Sequence, residues 1–403
     1  MKKNFKSRQF LLVSLSLFLL LSLTGCWSSH EIEELRLEVG IALDKGKESA
    51  TEKELEEQGG GYPKRNIITL THQFINAQAT GAGNKGTGTQ QKTYLNISDT
   101  GDSIHQIIRE LPLNGKGNFT SQHTKVIVIG EKLLRTYSLD RLLNEFLRDN
   151  EIRPSCLVII SKGRASKALE LNNPGEVSAF SLVKTTESQS RTTRILPPMP
   201  LAKLTGKMQS ESSFLLQNVV SANGEVKFAG AAVINGKTKK LVGFLNEEEL
   251  EGITWITGKG KGGLVKSFDQ ETKELIIYEI ESMNSQIIPH VKGENISFDV
   301  NIESEGRLSE NWVAKGNPFD NKFLNRTKNA AEKEVKHLVQ NVTNKMQKEY
   351  QTDVAGFGNQ LRIAHPKLWE KIKKDWDERF SNVPIKYNVK LTIKDYGTYG
   401  ASK

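Results

Sequence analysis

The 403-residue chain holds two cysteines, and their surroundings differ. Cys26 closes the stretch Leu23-Thr24-Gly25-Cys26, and Trp27 follows it. Leucine, two small residues and cysteine make up a bacterial lipobox. In that chemistry a diacylglyceryl group alkylates the thiol, and the bond before the cysteine is then cut. The preceding residues fit. Lys2, Lys3, Lys6 and Arg8 come first with no acid, and residues 11–23 are apolar apart from Ser14, Ser16 and Ser22. Thirteen residues make about 20 Å of helix, short of the roughly 30 Å of a bilayer core. Residues 1–25 therefore read as a lipoprotein signal peptide. Cys26 becomes the lipidated first residue of a chain lying outside the cytoplasmic membrane, and two acyl chains suffice for a stable anchor. Cys156 sits in the apolar run SCLVIIS and reads as a buried, inert thiol.

Other candidate chemistry is weaker. Gly258, Gly260 and Gly263 give a G-x-G-x-x-G match in GKGKGG. The dinucleotide motif needs a strand before it and a helix after it, and LVKSFD does not start a helix. The match reads as a flexible basic loop. The seven histidines, His30, His72, His105, His123, His290, His337 and His365, show no spacing typical of zinc ligands. His123, just before an apolar strand, is the one whose surroundings most need inspection. No G-x-S-x-G elbow or phosphate-binding loop is present. No catalytic residue, cofactor or metal is expected. Trp369 and Trp376 lie seven apart and share a helix face, which reads as packing.

The elements that position these residues follow from periodicity. Leu37, Val39, Ile41 and Leu43 alternate as a strand, after a short polar helix in SSHEIEEL. Residues 46–64 and 81–91 read as loops on either side of the strand NIITLTHQFIN, with KTYLNIS returning. SIHQIIREL is helical, TKVIVIG a buried strand. Leu139, Leu142, Leu143, Phe146 and Leu147 form one apolar helix face. CLVIIS is the next strand, followed by two helices in ASKALEL and GEVSAFSLVKTTESQ. Three prolines in ILPPMPL (195–201) read as a domain boundary. Strands SSFLLQNVVS, EVKFAGAAVI and KKLVGFL follow, the last two around a hairpin at Asn235-Gly236, then an acidic helix in NEEELEGITWI.

From 271 onward, KELIIYEIES, SQIIPHV and ENISFDVNIES read as three strands. A long helix carries Ala331, Val335, Leu338, Val342 and Met346 on one face, and HPKLWEKIKKDWDERF carries Trp369, Ile372, Trp376 and Phe380. IKYNVKLTIK closes the chain as an alternating strand. The fold class is α+β, or mixed α/β. It is multi-domain, each domain a β-sheet with packed helices. The divisions are 1–25 signal peptide, 26–197 N-terminal mixed α/β domain, 198–270 middle β-rich domain and 271–403 C-terminal α+β domain.

Composition agrees with a globular protein, 37% hydrophobic and 26% charged. Loss of residues 1–25 takes four basic residues and no acid, so 56 basic against 47 acidic becomes 52 against 47, or +5. That mild excess on an exported protein suits anionic lipid or wall polymer and argues against nucleic acid.

Several blocks together carry a family resemblance: Cys26-Trp27 with EIEEL, VGIALD, TSQHTKVIVIGE, RDNEIRPS, KLVGFLNEEELEGITW and the ending DVAGFGNQLRIAHPKLWEKIKKDWDERF. The chain resembles the Ger(x)C family, the C-subunit lipoproteins of bacterial spore germinant receptors, from Cys26 to about Gly397. The loops at 46–64 and 81–91 look longer and richer in glycine than the family suggests. The resemblance implies a three-domain, non-catalytic lipoprotein subunit on the outer face of the spore inner membrane. It would act in nutrient-triggered germination with a multi-spanning A subunit and an integral-membrane B subunit. Cys26 carries over as the lipidated residue. Trp27, Asp353, Gly356, Gly358, Trp369 and Trp376 match the family signature and read as structural. The alternative is an extracytoplasmic lipoprotein that binds a solute or acts on cell-wall polymer. It would show two similar lobes or a cleft with converging carboxylates.

Overall fold

The computed structural model describes residues 36–46, 67–76, 92–114, 119–173, 175–314 and 316–395, with isolated positions 16, 54 and 57–59. Cys26, Trp27, the helix expected in SSHEIEEL and the loop at 81–91 lie outside them, as does most of the loop at 46–64.

The described chain builds two sheets. The first runs in the order β3 (Tyr94–Gly101), β2 (Ile68–Ile75), β1 (Arg36–Lys45), β5 (Val126–Gly130), β6 (Leu157–Lys162), β7 (Phe214–Ala222), β8 (Glu225–Ile234), β9 (Leu241–Leu245). A short β4 (Phe119–Thr120) joins the start of β1. The central strands β1, β5, β6 and β7 are parallel, and an antiparallel pair flanks them on each side. VIVIG and LVIIS have no polar alternation because helices cover both faces of the parallel part.

On one face lie α1 (Ile104–Glu110), α2 (Glu131–Thr136), α3 (Leu139–Leu142), α4 (Asn144–Arg148) and α7 (Leu201–Gln209). On the other lie α5 (Ala165–Ala168), α6 (Ser178–Thr186) and α8 (Glu247–Thr257). The apolar face expected from 139 to 147 is split at Leu143 into α3 and α4. Four of its five residues are buried, and Leu147 is exposed.

Residues 195–199 have no regular structure, Pro200 bridges to Leu157, and α7 begins at Leu201. The strands before and after this segment are neighbours, with Ile160 opposite Asn218. Strands 214–245 thus complete the first sheet. The prolines interrupt hydrogen bonding along the chain but leave room for a crossover between parallel strands.

The second sheet has the order β10 (Gly263–Phe268), β11 (Leu275–Lys292), β12 (Asn295–Asn311), β13 (Ile385–Asp395). KELIIYEIES and SQIIPHV form one 18-residue strand, not two, with a register shift between Ile280 and Ser282. A bulge lets a strand pass through a polar stretch without ending. β11 and β12 make a long antiparallel hairpin, and β13 runs parallel to β12.

α8 joins the two halves. Asn246 and Glu249 form a capping box at its start, and Gly258 ends it in the left-handed conformation. Leu250, Ile253, Trp255 and Ile256 are buried in one core with Leu215, Val233 and Leu245 of the first sheet, Tyr278 and Ile280 of β11, and α9 (Asn321–Asn344). A Cβ on Gly252 would lie 2.6 Å from the Leu338 carbonyl oxygen. Only glycine lets α8 and α9 approach so closely.

Candidate functional site at the seam of the two sheets

After α9 the chain passes through a π-helical turn (Lys345–Glu349) and reaches Asp353. The Asp353 carboxylate accepts five hydrogen bonds. Oδ1 takes the backbone N–H groups of Ala355 (3.2 Å), Gly356 (2.8 Å) and Phe357 (3.2 Å). Oδ2 takes the N–H of Gly358 (2.7 Å) and the indole Nε1–H of Trp376 (3.0 Å). The first four donors belong to the turn into α10 (Phe357–Ala364) and to its first two residues, whose N–H groups have no partner within the helix. Gly356 stands at φ 91°, a left-handed conformation that glycine adopts without strain.

Gly358 is required by proximity. A Cβ there would lie 2.5 Å from Trp376 Nε1 and 2.8 Å from Trp369. The helix expected from 366 to 380 is broken into α11 (Pro366–Ile372), a 3₁₀ turn (Lys373–Asp375) and α12 (Trp376–Phe380). Trp369 and Trp376 still meet edge to face, with ring centroids 5.6 Å apart at 63°. Trp376 is buried and lies edge-on to Phe298 of β12 at 6.2 Å. Phe357 meets Phe298 at 5.1 Å and Phe380 at 5.4 Å. The structure thus brings together Asp353, Gly356, Gly358, Trp369 and Trp376.

These five residues border a cavity of about 1130 Å³. Its other walls come from the segment 189–199, α7, the end of α8 with Lys259 and Gly260, and residues 285–287 of β11. Asp377, also at the wall, accepts the Asp353 N–H at 3.3 Å. Burial pushes the Asp377 carboxyl above its ordinary value; that hydrogen bond opposes the shift and the Asp353 charge adds to it.

GKGKGG connects a helix to a strand, since Gly258 caps α8 and Gly263 begins β10. That is the reverse of the strand–loop–helix order that cradles a pyrophosphate. His123 is exposed in a turn. The buried histidine is His72, whose Nδ1 pairs with Glu38 Oε1 while Thr124 Oγ1 donates to Glu38 Oε2 at 3.0 Å. A histidine in the middle of the strand NIITLTHQFIN was the available signal; its partner, 34 residues away, was not. Cys156 is buried, and burial first, then Glu38, pushes its thiol well above the usual range. Among the described residues no three His, Cys, Asp or Glu side chains cluster to hold a metal, and no helix is long and apolar enough to cross a membrane.

The arrangement defines a two-sheet α+β protein whose C-terminal helices are pinned by a single carboxylate. A solved structure is similar in fold: "Crystal Structure of the GerBC protein" superposes with a TM-score of 0.60 at 26% identity, covering 88% of this chain and 97% of that one. Residues 28–220 match the family described as "Spore germination protein N-terminal domain", and residues 229–397 match "Spore germination B3/ GerAC like, C-terminal". The chain is 52% identical to spore germination protein YndF of Bacillus subtilis (strain 168), over 99% of each chain. It is 30% identical to spore germination protein B3 of the same organism, over 96% of this chain and 98% of that one. The chain belongs to the Ger(x)C, or GerAC-like, family of spore germination proteins.

Proposed function

We propose that the chain is a non-catalytic lipoprotein subunit of a nutrient germinant receptor. It is held on the outer face of the spore inner membrane by acyl chains on Cys26. Its partners are the A and B membrane subunits of the same receptor. The observation that carries this reading is the near full-length likeness to spore germination proteins, with the lipobox Leu23-Thr24-Gly25-Cys26 at the start. The non-catalytic part rests on how the polar groups are used. The five donors on Asp353 leave its carboxylate little capacity for a substrate. The Nδ1 of the buried His72 is committed to Glu38.

Membrane fractionation of spores carrying Cys26→Ala tests the anchor. The variant chain is expected uncleaved or in the soluble fraction, with germination through this receptor impaired. A correctly processed variant fully retained at the membrane would refute the assignment of Cys26. Co-purification in mild detergent tests the partners, which are expected to elute with the wild-type chain.

A further inference from the structure

We propose that the seam between the two sheets is a binding site for a small organic anion carrying two or more negative charges, held by Lys203, Lys207 and Lys259. Lys203 and Lys207 stand one turn apart on α7, and Lys259 follows the cap of α8. All three line the 1130 Å³ cavity. An open surface depression beside it shares Lys203 and Lys259 and adds Lys261. The cavity is just above the usual size of small-molecule sites, roughly 300–1,000 Å³.

Among the described residues Lys203, Lys207 and Lys259 have no ion-pair partner, whereas Lys373 across the cavity pairs with Glu370 at 2.6 Å. The charges acting on Lys207 are those of Lys259 and then Lys203; together with partial burial, the largest cause, they hold its ammonium below the ordinary value. Glu211, just past the end of α7, and Asp353 and Asp377 line the same cavity, but among the described residues none of them forms an ion pair with these three lysines. Cations brought together in this way repel one another, and a multivalent anion relieves that repulsion through charge-assisted hydrogen bonds. The ligand's body would meet an apolar wall, since Ile195, Ile256, Ile287 and Trp369 line the same space. A free inorganic anion would leave that wall unused. The proposal is independent of the receptor assignment, because it concerns only what the cavity holds.

The test uses the full-length chain in a mild non-ionic detergent, titrated calorimetrically with citrate and with glycerol 3-phosphate, and with neutral glycerol as control. At least one anion is expected to bind saturably in the micromolar to millimolar range, more weakly as salt is raised, while glycerol does not. The triple variant Lys203→Gln, Lys207→Gln, Lys259→Gln replaces exposed side chains and is expected to melt like the parent. It should bind at least about tenfold more weakly, equivalent to about 1.4 kcal/mol. Lys336→Gln, on the exposed side of α9 away from the cavity, should bind like the parent. Three results would each overturn the site: no saturable binding of either anion, an equal affinity in the triple variant, or an equal loss in Lys336→Gln.

Discussion

The indole N–H of Trp376 donates to the Asp353 carboxylate at 3.0 Å across 23 residues of chain, and the same carboxylate oxygen accepts the Gly358 N–H at 2.7 Å. One side chain thereby fixes both the start of α10 and the start of α12 against β12. Truncating a buried tryptophan costs about 3–5 kcal/mol. A domain's whole stability is about 5–15 kcal/mol. Trp376→Ala should therefore lower the unfolding midpoint strongly and reduce the folded protein in spores. Trp376→Phe keeps the ring contact with Phe298 but removes one of the two donors on Asp353 Oδ2, so it should fall between. Urea unfolding beside a germination assay checks both. Trp376→Ala melting like the parent yet failing to germinate would show that the residue is a contact for a partner, not a packing residue.

Gly358 offers a separate handle on the same corner. An added methyl would press on the Trp376 and Trp369 rings at 2.5 and 2.8 Å, and neither ring can retreat without losing a contact. Gly358→Ala is expected to cost about 1–3 kcal/mol, the usual range for overpacking. The effect should shrink in the Trp369→Ala background, where space opens. Equal losses in both backgrounds would show that the Trp369 ring is not what resists the methyl.

How much of this was legible beforehand divides along the range of the interactions. VIVIG and LVIISK read as buried strands because the signal lies within each run. The alternation from Ile385 to Ile393 survives intact in β13. Asp353, Gly356, Gly358, Trp369 and Trp376 could be named as a signature, but their meeting at one carboxylate could not. That depends on α11 and α12 folding back across Phe298. Continuity of the first sheet past the prolines was hidden for the same reason: Ile160 and Asn218 pair across more than fifty residues. The lysine wall joins α7 to the end of α8, and nothing local in GKGKGG announces it. His123 looked distinctive beside a buried strand, yet it sits in a solvent-facing turn, while His72 inside a strand faces Glu38.

Glu38 and His72 make a buried pair, with side chains 0% and 1% exposed. His72 also stacks on Phe74 at 5.8 Å, and its Nε2 has no partner among the described residues. Removing one member of a buried pair leaves the other unsatisfied, at about 3–5 kcal/mol. Glu38→Leu alone or His72→Phe alone should cost that order. The double variant should cost less than the sum, because no polar group is then left without its partner apart from the Thr124 hydroxyl. A double-mutant cycle in urea measures the coupling. Strict additivity would mean that the pair does not act as a unit.

Glu251 gives the chain a pH signature. Its carboxylate is buried on α8 and meets Arg194 Nε at 3.0 Å. Burial raises its pKa above the ordinary 4.5, and the attraction of Arg194 only partly opposes that. The folded state therefore keeps this proton to higher pH than the unfolded chain does. The stability contributed by protonated Glu251 is complete below pH 4.5. It is lost as pH rises through the raised folded value, because the native state binds more protons in that window. Glu251→Gln is neutral throughout and still offers Arg194 a carbonyl acceptor. Unfolding midpoints measured from acid to neutral pH should show the parent losing stability relative to Glu251→Gln across this window, with the difference levelling off above it. A difference that is flat with pH, or that grows in the parent's favour as pH rises, would show that Arg194 outweighs burial and that the carboxylate is the form the fold prefers.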